Sequence, residues 1–382
     1  MLVSLAVLVF VSWKQESCRQ ISIKLVSGST VLVILSACMV WKHYQLGYTY
    51  QALKEIVDDK KLDSKWHMTG TIERKTFQNY VIVLGESLRT DAMSLYGNPY
   101  KTTPFLETMP YKLITNYVST AINTSQAVPR IFALTDRKGN FSEGDNILNL
   151  AAENKMRTYW VSSQGWVGRW EVGASKIAKY ADERVFTLVQ DGDFKLLPVM
   201  KKILESQGRK LVVLHTIGSH EDPCGKLNDF GIVFEAGKGK FMNCYLSTVK
   251  KTDFFLKELF SMLKASNQSW TVVFFPDHAQ NFIPAVDGYS VYRDSDKKQS
   301  YEIPFIEFNS DMSRQERVNI SQSAYNFVQY FPTWIGIKTN LTPEGYDIFK
   351  EAEPSPRVMK YSHEMTDYSK LEDGLTMSQM LK

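Results

Sequence analysis

The sequence predicts an α/β fold in which helices cover both faces of a mainly parallel β-sheet. Three runs rich in apolar residues are typical of strands that are buried on both faces. They span residues 80–84, 210–215 and 270–275. Helical stretches alternate with the strands, and this alternation is typical of a sheet with helices on its two faces. They span residues 146–155, 198–205 and 248–264.

The remaining elements extend this pattern towards the C-terminus. Further strands are predicted at residues 114–119, 158–163 and 301–308, and a helix that packs on the sheet at 321–337. Gln164 follows one of these strands and is a candidate either for lining a pocket or for a purely structural role. The polar residues 351–382 predict an irregular C-terminal tail, to which we assign no chemistry.

Acidic and imidazole side chains follow the predicted strands at the points where the strands end. Glu86 follows the first strand after Gly85, which we expect to let the chain turn sharply. Asp277 and His278 follow the strand at 270–275, and His220 lies just beyond the strand at 210–215. Ligands of such sheets bind beyond the carboxyl ends of the strands, so we expect these groups to meet at one edge.

A helix is predicted to begin at Thr124, after the strand at 114–119. A hydroxyl at a helix start is surrounded by unpaired backbone N–H groups and by the positive end of the helix dipole. That environment suits an attacking alkoxide or a bound phosphate. Thr124 is therefore the candidate nucleophile.

These groups together predict one zinc ion bound by Glu86, Asp277, His278 and the Thr124 oxygen. Zinc accepts such a mixed set of oxygen and nitrogen ligands in tetrahedral geometry. A free threonine hydroxyl barely ionises at neutral pH, whereas a divalent cation lowers the pKa of a bound oxygen acid by roughly seven units or more, as it does for water. We expect His220 to handle the substrate phosphate or the leaving group.

Four sequence motifs, in this order, resemble the bacterial phosphoethanolamine transferases of the alkaline phosphatase superfamily. They are GESLRTDAMSLYG at 85–97 with TTP at 102–104, NTSQAVPR at 123–130, HTIGSHEDPC at 215–224 and PDHAQ at 276–280. The resemblance implies an alkaline-phosphatase-like α/β/α sandwich and the same zinc site. It also implies that Thr124 takes phosphoethanolamine from phosphatidylethanolamine as a covalent intermediate. The acceptor would be lipid A, the lipopolysaccharide core or another envelope glycan or lipid.

One feature departs from the family pattern. Similar members often carry a further histidine, shortly before a strand like the one at 301–308, that helps to bind the transferred phosphate or a second zinc. Here no histidine lies between His278 and His363. Arg293, Lys297 and Lys298 are basic residues that would supply positive charge to a phosphate instead. One zinc ion is expected, and a second is left open.

The substrate-binding residues expected from these motifs are His220, Asn123 and Arg293. Several related activities stay open. A sulfatase of the same fold needs a cysteine or serine matured to formylglycine, and no cysteine lies between Cys38 and Cys224. A glycerol-phosphate transferase also uses threonine, and a phosphodiesterase of the same superfamily or an inactive truncated remnant are further alternatives.

The N-terminal region predicts a membrane anchor. Residues 1–13 are apolar, and residues 25–41 form an uncharged run of roughly seventeen residues, near the lower limit for a helix that crosses a bilayer. We interpret residues 1–44 as a transmembrane hairpin, the last two spans of a longer membrane domain, with a signal peptide or a true short form as alternatives. Basic residues between the runs predict that the second span exits outward from the bacterial inner membrane.

This topology divides the rest of the chain. Residues 45–76 predict a linker helix on the membrane surface, where Trp66 would rest, and residues 77–350 a sulfatase-like catalytic domain in the periplasm.

Cys224 and Cys244 bracket a loop rich in glycine and lysine, and we predict a disulfide between them, as an oxidising compartment allows. The small net charge of +4, without a basic stripe that contains aromatic residues, gives no support for a nucleic-acid partner.

Overall fold

The computed structural model describes residues 60–165 and 172–382, together with Ser36 and Met39. The predicted membrane hairpin at 1–44 and the first part of the predicted linker, up to residue 59, otherwise lie outside the described residues. Among the described residues, no helix is both long enough and apolar enough to cross a bilayer. Residues 60–382 belong to one compact unit.

Sixteen strands and seven α-helices are present in the described residues. The strands are β1 (Met68–Thr71), β2 (Asn79–Gly85), β3 (Tyr111–Val118), β4 (Ala133–Thr135), β5 (Phe141–Asn146), β6 (Arg157–Ser162), β7 (Glu183–Phe186), β8 (Lys210–His215), β9 (Trp270–Pro276), β10 (Phe282–Ala285), β11 (Gly288–Val291), β12 (Glu302–Asn309), β13 (Gln315–Ser323), β14 (Ile337–Thr339), β15 (Arg357–Met359) and β16 (Met365–Asp367). The helices are α1 (Thr124–Phe132), α2 (Ile147–Glu153), α3 (Val172–Ala178), α4 (Leu196–Glu205), α5 (Lys240–Ala265), α6 (Phe327–Ile335) and α7 (Met377–Met380).

Eight strands form the central sheet, in the order β13-β3-β12-β9-β2-β8-β6-β7. The five strands from β9 to β7 pair in parallel, and β3 pairs in parallel with β13. Strand β12 runs antiparallel to both of its neighbours, β3 and β9. The carboxyl ends of β2, β3, β6, β8 and β9 therefore lie at one edge of the sheet.

The sheet separates two apolar cores, because successive side chains of a strand point to opposite faces. On β2, for example, Ile82 packs into one core with α1, α2, α3 and α6, whereas Val83 packs into the other with α4 and α5. All seven residues of β2 and all seven of β9 are buried. The predicted α/β architecture with helices on both faces is confirmed.

The predicted strands and most of the predicted helices are present, with small shifts at their ends. The strand at 210–215 has the predicted bounds, and α1 begins at Thr124 as predicted. Helix α5 begins at Lys240, eight residues earlier than the predicted start at 248. The helix predicted at 321–337 is partly wrong, because residues 321–323 end β13 and α6 starts at Phe327.

The linker prediction is wrong for the part that the structure describes. Residues 60–76 contain no helix, and β1 pairs with β14 instead. Trp66 is fully buried, and its indole N–H donates to Thr339 Oγ1 at 3.0 Å, so it does not rest on a membrane surface. The carboxylate of Asp145 accepts the backbone N–H groups of Lys65 and Trp66, which fixes this segment against the domain.

The prediction of an irregular tail at 351–382 is also wrong, since these residues contain β15, β16 and α7. The segment is held against the start of the motif that begins at Gly85. Arg89 Nη2 donates to the carbonyl of Leu375 at 2.9 Å, and Asp91 Oδ2 accepts the N–H of Met377 at 2.8 Å. Polar composition misled the prediction, because the segment contributes few but fully buried apolar side chains such as Met377 and Met380.

Candidate metal centre and active site

The parallel register of the sheet brings the acidic side chains together. Strand β2 pairs with β9 such that Gly85 lies opposite Pro276. Glu86 and Asp277 each come one residue later and so occupy neighbouring positions at the same edge. The sequence prediction that several strands direct chemical groups to one edge therefore describes the fold correctly.

Glu86, Asp277 and His278 form a compact cluster in which one ligand atom of each lies within 4.8 Å of the others. The exposed fraction is 0% for both carboxylates and 8% for the imidazole. His278 Nε2 is 3.1 Å from Glu86 Oε1 and 3.7 Å from Asp277 Oδ2. Three ligand-type side chains thus face one small volume that water barely reaches.

The tautomer of His278 is set by its other ring nitrogen. Nδ1 is 2.7 Å from the carbonyl oxygen of Ala279. A carbonyl can only accept, so Nδ1 carries a hydrogen and Nε2 faces the carboxylates. This arrangement is the one that metal-binding histidines use, with one nitrogen held by a backbone carbonyl and the other directed at the ion.

The electrostatics of the cluster favour a cation. Burial and the negative charge of Glu86 raise the pKa of Asp277 to about 7. Burial opposes the charged form of His278, but the two carboxylates outweigh it and raise its pKa to about 9. Burial would also raise the pKa of Glu86, but the charge and hydrogen bond of His278 hold it well below its ordinary value.

Asp277 supplies a direct test of whether these residues suit a metal ion. Its Oδ2 is buried and has no hydrogen-bond partner among the described residues. A buried carboxylate oxygen without a hydrogen-bond partner costs folding free energy unless it binds a cation. The cluster offers two carboxylates and one imidazole, which are accepted ligands of zinc. The residues present therefore fit a divalent cation.

Thr124 lies directly beside this cluster. It is the first residue of α1, and the side chain of Asn123 caps the helix by accepting the N–H of Gln126 at 3.0 Å. Thr124 Oγ1 donates to Glu86 Oε2 at 2.8 Å. The structure thus brings together all four residues that the sequence predicted as ligands, and it places the candidate nucleophile at a helix N-terminus.

Two further side chains orient Glu86, and sequence reasoning did not assign either of them to the site's chemistry. Gln164 Nε2 donates to Glu86 Oε2 at 3.1 Å and to the carbonyl of Thr216 at 2.7 Å. Ser87 Oγ donates to Glu86 Oε1 at 2.6 Å. Gln164 follows β6, which is separated from β2 by β8, so only the strand order reveals this contact.

The turn after β2 differs from the one predicted. Ser87, and not Gly85, has the left-handed conformation, with φ of 56°. Such a conformation costs a non-glycine residue roughly 1–3 kcal/mol and is often found where a site requires it. The hydrogen bond from Ser87 to Glu86 compensates for part of this cost. Gly85 is needed for packing, because a Cβ there would lie 3.3 Å from Phe274 and Pro276.

The loop that carries His220 is held close to the cluster by a buried carboxylate. Asp193 accepts the N–H groups of Ile217 at 2.7 Å and Gly218 at 3.2 Å. At Gly218, a Cβ would lie 2.9 Å from the backbone oxygen of Glu86, so this close approach requires glycine. No sequence pattern pointed to Asp193, which begins a short 3₁₀ helix, Asp193–Lys195, before β8.

An open cleft of about 490 Å³ leads from solvent to these residues. Thr124, His278, Asn123, His220 and Arg293 are among the residues that line it. All the predicted substrate-binding residues therefore line one cleft. His220 is partly exposed, with Nδ1 at 3.3 Å from the carbonyl of Glu221.

The basic residues considered for phosphate binding separate into two groups. Arg293 lines the cleft, and its Nη2 is 3.4 Å from Glu221 Oε2. Lys297 and Lys298 form ion pairs with Glu372 and Asp373, respectively. Of the three, Arg293 is the one placed to meet a ligand in this cleft.

The comparisons with known proteins agree with this site. Residues 78–338 match the sulfatase family. The chain belongs to the sulfatase family. It is 29% identical over 317 residues to the phosphoethanolamine transferase OpgE of Escherichia coli, an alignment that covers 79% of this chain. The chain spans 59% of the length of that relative.

Solved structures show that this member of the sulfatase family has the alkaline-phosphatase-like fold. The C-terminal periplasmic domain of EptC from Escherichia coli, in complex with Zn, superposes with a TM-score of 0.68 at 17% identity. The match covers 82% of this chain and 98% of that domain. A protein in the alkaline phosphatase superfamily from Vibrio parahaemolyticus matches with a TM-score of 0.55 at 16% identity, covering 82% of this chain and 81% of that one.

The predicted disulfide of this sulfatase-family domain is confirmed. Cys224 and Cys244 are bonded, with their Cα atoms 4.9 Å apart. Cys224 lies four residues after His220, and Cys244 lies in the first turns of α5. The bond therefore ties the loop of a cleft residue to the longest described helix. By loop length it would contribute roughly 3 kcal/mol to the free energy of unfolding.

His215 has a structural role. Its Nδ1 is 3.0 Å from Ser162 Oγ, and its ring packs edge-on against Trp160. Burial lowers the pKa of His215 to about 4, so the ring is neutral at physiological pH. It does not belong to the cluster formed by Glu86 and its neighbours.

Proposed function

We propose that this protein is a membrane-anchored transferase that moves phosphoethanolamine from phosphatidylethanolamine to a cell-envelope glycan or lipid. The observation that carries the proposal is the contact between Thr124 Oγ1 and Glu86 Oε2 at 2.8 Å, within a buried set of metal-ligand residues. A relative at 29% identity is named a phosphoethanolamine transferase, and the EptC neighbour is a periplasmic domain in complex with Zn. The proposed location is the bacterial inner membrane, with the catalytic domain in the periplasm.

A zinc ion is the cofactor that these residues would hold, through Glu86, Asp277, His278 and the Thr124 oxygen. When bound, it would supply the Lewis acidity that lowers the pKa of the threonine hydroxyl and offsets the charge on a phosphate. Glu86 keeps Thr124 oriented through their hydrogen bond, and Gln164 keeps Glu86 oriented in turn.

In the first half-reaction, Thr124 Oγ1, deprotonated with its proton released to water, attacks the phosphorus of the donor. A bond forms between Oγ1 and phosphorus, and the bond from phosphorus to the diacylglycerol oxygen breaks. His220, on the cleft wall, gives a proton to the departing oxygen. The N-terminal N–H groups of α1 and the guanidinium of Arg293 stabilise the negative charge on the phosphoryl oxygens.

In the second half-reaction, a hydroxyl of the acceptor attacks the phosphorus of the phospho-threonine. His220 takes the proton of this hydroxyl, and the bond from phosphorus to Thr124 Oγ1 breaks. The acceptor hydroxyl, carried by lipid A, the lipopolysaccharide core or another envelope glycan or lipid, would approach Thr124 through the cleft that Thr124 lines. Thr124 leaves as the same deprotonated group that began the cycle, and His220 is again protonated.

Mass spectrometry of the full chain and of envelope glycolipids tests this proposal. Cells that express the parent chain should gain phosphoethanolamine on a glycolipid, and the Thr124→Ala variant should lose both that product and any adduct on residue 124. Thr124→Ser keeps a hydroxyl at the same position and should retain part of the transfer. Equal transfer by the Thr124→Ala variant and the parent would refute the nucleophile.

The same measurement separates the two donors that threonine chemistry allows. An adduct with the mass of phosphoethanolamine on Thr124 supports phosphatidylethanolamine as donor. An adduct with the mass of glycerol phosphate would overturn that assignment and leave the nucleophile intact. A parent chain that gives neither adduct nor product would point to an inactive remnant.

A further inference from the structure

The hairpin β10–β11 projects an apolar tip next to the cleft. Ile283 is 38% exposed, and Val286, in the turn between the strands, is fully exposed at 103%. Pro284 and Ala285 between them are exposed as well. Single exposed apolar residues are ordinary, but four in a row at one tip form a contiguous apolar surface.

The hairpin is rigidly supported on its inner side, so the tip is not simply a loose loop. Phe282 is buried and packs edge-on against Tyr245, with ring centres 4.8 Å apart. Its cross-strand partner Val291 lies on the same face, whereas Ile283 pairs with Ser290 on the opposite, outer face. On this outer face, Ile283 keeps 38% of its surface exposed and Ser290 is half-buried.

Two glycines fix the position of the tip against the loop that precedes α5. A Cβ at Gly239 would lie 2.0 Å from the backbone oxygen of Asp287, and a Cβ at Gly288 would lie 2.3 Å from that of Lys238. The two backbones are thus in direct contact. Lys238 of this loop and Lys240, the first residue of α5, lie beside the tip, which carries Asp287.

The base of the hairpin is a wall of the cleft. Gln280 and Asn281, which lead into β10, line the cleft together with Val291, Tyr292 and Arg293, which end the hairpin. Strands of four residues, at about 3.3 Å per residue, place the tip about 13 Å from this rim. A headgroup layer is roughly 5–7 Å thick on each side of a bilayer. A tip that reached the hydrocarbon would hold the rim within about 10 Å of the lipid phosphates.

We propose that the β10–β11 tip inserts into the surface of a phospholipid bilayer and so holds the mouth of the cleft at the level of the headgroups. The choice of a bilayer rests on the proposed lipid donor. Apolar residues suit the hydrocarbon boundary, and Tyr292, 53% exposed at the base, suits the interface. Lysines and acidic groups are mixed here, with Glu235 and Asp287 beside Lys238 and Lys240. This mixture complements zwitterionic headgroups, which carry both a phosphate and an ammonium.

Spin labelling of the full chain in phosphatidylethanolamine vesicles tests the proposal. A nitroxide is attached to Val286→Cys in a background with Cys18→Ser and Cys38→Ser, which leaves the disulfide intact. The control label is Leu341→Cys. Leu341 is 50% exposed and follows α6 in the chain. Ile335, the last residue of α6, accepts a hydrogen bond from Arg209. Arg209 precedes β8, so this region lies at the edge of the sheet opposite the cleft. Collision rates with oxygen, which concentrates in lipid, and with a water-soluble nickel complex are then compared.

We expect the ratio of oxygen to nickel collision rates to be above one at Val286 and below one at Leu341, at low and at high salt. Ile283→Asp should bring the ratio at Val286 below one, whereas the matched Leu341→Asp should leave it unchanged.

Three results would overturn the proposal. A Val286 label that collides freely with nickel would lie in water, and one that is shielded from both reagents would be covered by residues 1–59 or by a second copy of the chain. A chain that does not associate with the vesicles would also contradict it. The measurement is repeated with Thr124→Ala, which should insert as the parent does, because insertion does not depend on turnover. A parent chain that inserts but transfers no phosphoethanolamine would contradict the proposed function and leave the docking surface intact.

Discussion

The inner and outer parts of the active site are held in place by different means. The inner part, which we call the cradle, consists of Glu86, Thr124, Asp277 and His278, all at least 92% buried and joined by short hydrogen bonds. The outer part, which we call the rim, consists of loop residues such as His220 and Arg293 with partly exposed side chains. The register of the sheet positions the cradle, whereas individual loops position the rim.

This difference indicates a division of labour. The cradle has little freedom to vary, because each of its groups is fixed by a strand end or a helix start and is removed from water. In the proposed reaction, the rim would face the donor and the acceptor, and its long side chains would adjust to them. Changes to the cradle should therefore affect metal binding and turnover strongly, whereas changes to the rim should alter substrate affinity moderately.

The largest effect is expected for Glu86→Gln. The change removes one of two carboxylate charges around the metal position and also weakens the hydrogen bond that orients Thr124. Zinc affinity should fall by more than the 10–100-fold that loss of an outer partner typically costs, with little residual transfer. Metal content after dialysis and transfer activity measure this. The matched control is Glu307→Gln, a buried carboxylate away from the cluster, which should bind zinc as the parent does. Equal zinc content in both variants would show that Glu86 does not contribute to zinc binding.

The second effect concerns His215, which is buried beside the cradle without being part of it. Its pKa is lowered to about 4 from an ordinary value of 6.5, so protonation favours the unfolded chain. The free energy of unfolding should therefore fall by about 3 kcal/mol as the pH falls from 6.5 towards 4, and stay level with respect to this group above 6.5. Urea unfolding at several pH values measures this.

The variant His215→Gln has no imidazole to titrate and should lose this part of the pH dependence. The exposed His363→Gln is the control and should keep it. If His215→Gln and the parent lose stability equally on acidification, carboxylates of the native state account for the acid sensitivity and the burial argument for His215 fails.

The third prediction tests whether Gln164 supports zinc binding through its hydrogen bond to Glu86. Gln164→Leu removes the amide that donates to Glu86 and to the carbonyl of Thr216 but keeps a similar volume. Zinc affinity should fall about 10–100-fold, as expected for an outer partner, while the zinc stoichiometry at saturation stays the same. Calorimetric titration with zinc measures both. A control is Gln322→Leu, another buried amide, whose partners lie around residues 346–351. An unchanged affinity in Gln164→Leu would place Gln164 among the structural residues.

The cradle could be predicted from the sequence, and the residues that support it could not. Glu86, Asp277 and His278 come directly after apolar strands, and parallel strands bring their C-terminal neighbours to one edge regardless of the exact strand order. The bond from Gln164 to Glu86 depends on β6 being two strands away from β2. The left-handed turn at Ser87 has no sequence signature, because serine rarely adopts it.

Elsewhere, polar composition led to two wrong predictions, a linker helix on the membrane surface that included residues 60–76 and an irregular tail at 351–382. Residues 60–76 and 351–382 are largely polar, yet each is fixed to the domain by buried groups such as Trp66 and Met377. The hairpin tip shows the opposite case, since its apolar residues were not singled out in the sequence and are exposed in the fold. Burial of a short segment depends on which other parts of the chain pack next to it, and a local pattern does not contain that information.

The smallest effect is expected at the rim, for Arg293. Its side chain is 38% exposed and lies 3.4 Å from Glu221, a pair at the surface that contributes little to stability. Arg293→Ala should raise the KM for the donor about fivefold and leave kcat nearly unchanged, because a partly solvated guanidinium contributes about 1 kcal/mol to binding a phosphate. Glu221→Gln should act in the opposite direction, since it removes a carboxylate that competes with the phosphate for this guanidinium.

Lys297→Ala, the control, alters a basic residue that pairs with Glu372 and should leave KM unchanged. Equal rises in KM for Arg293→Ala and Lys297→Ala would show that only the overall charge matters, and the distinction between a fixed cradle and a ligand-binding rim would then lose its main support.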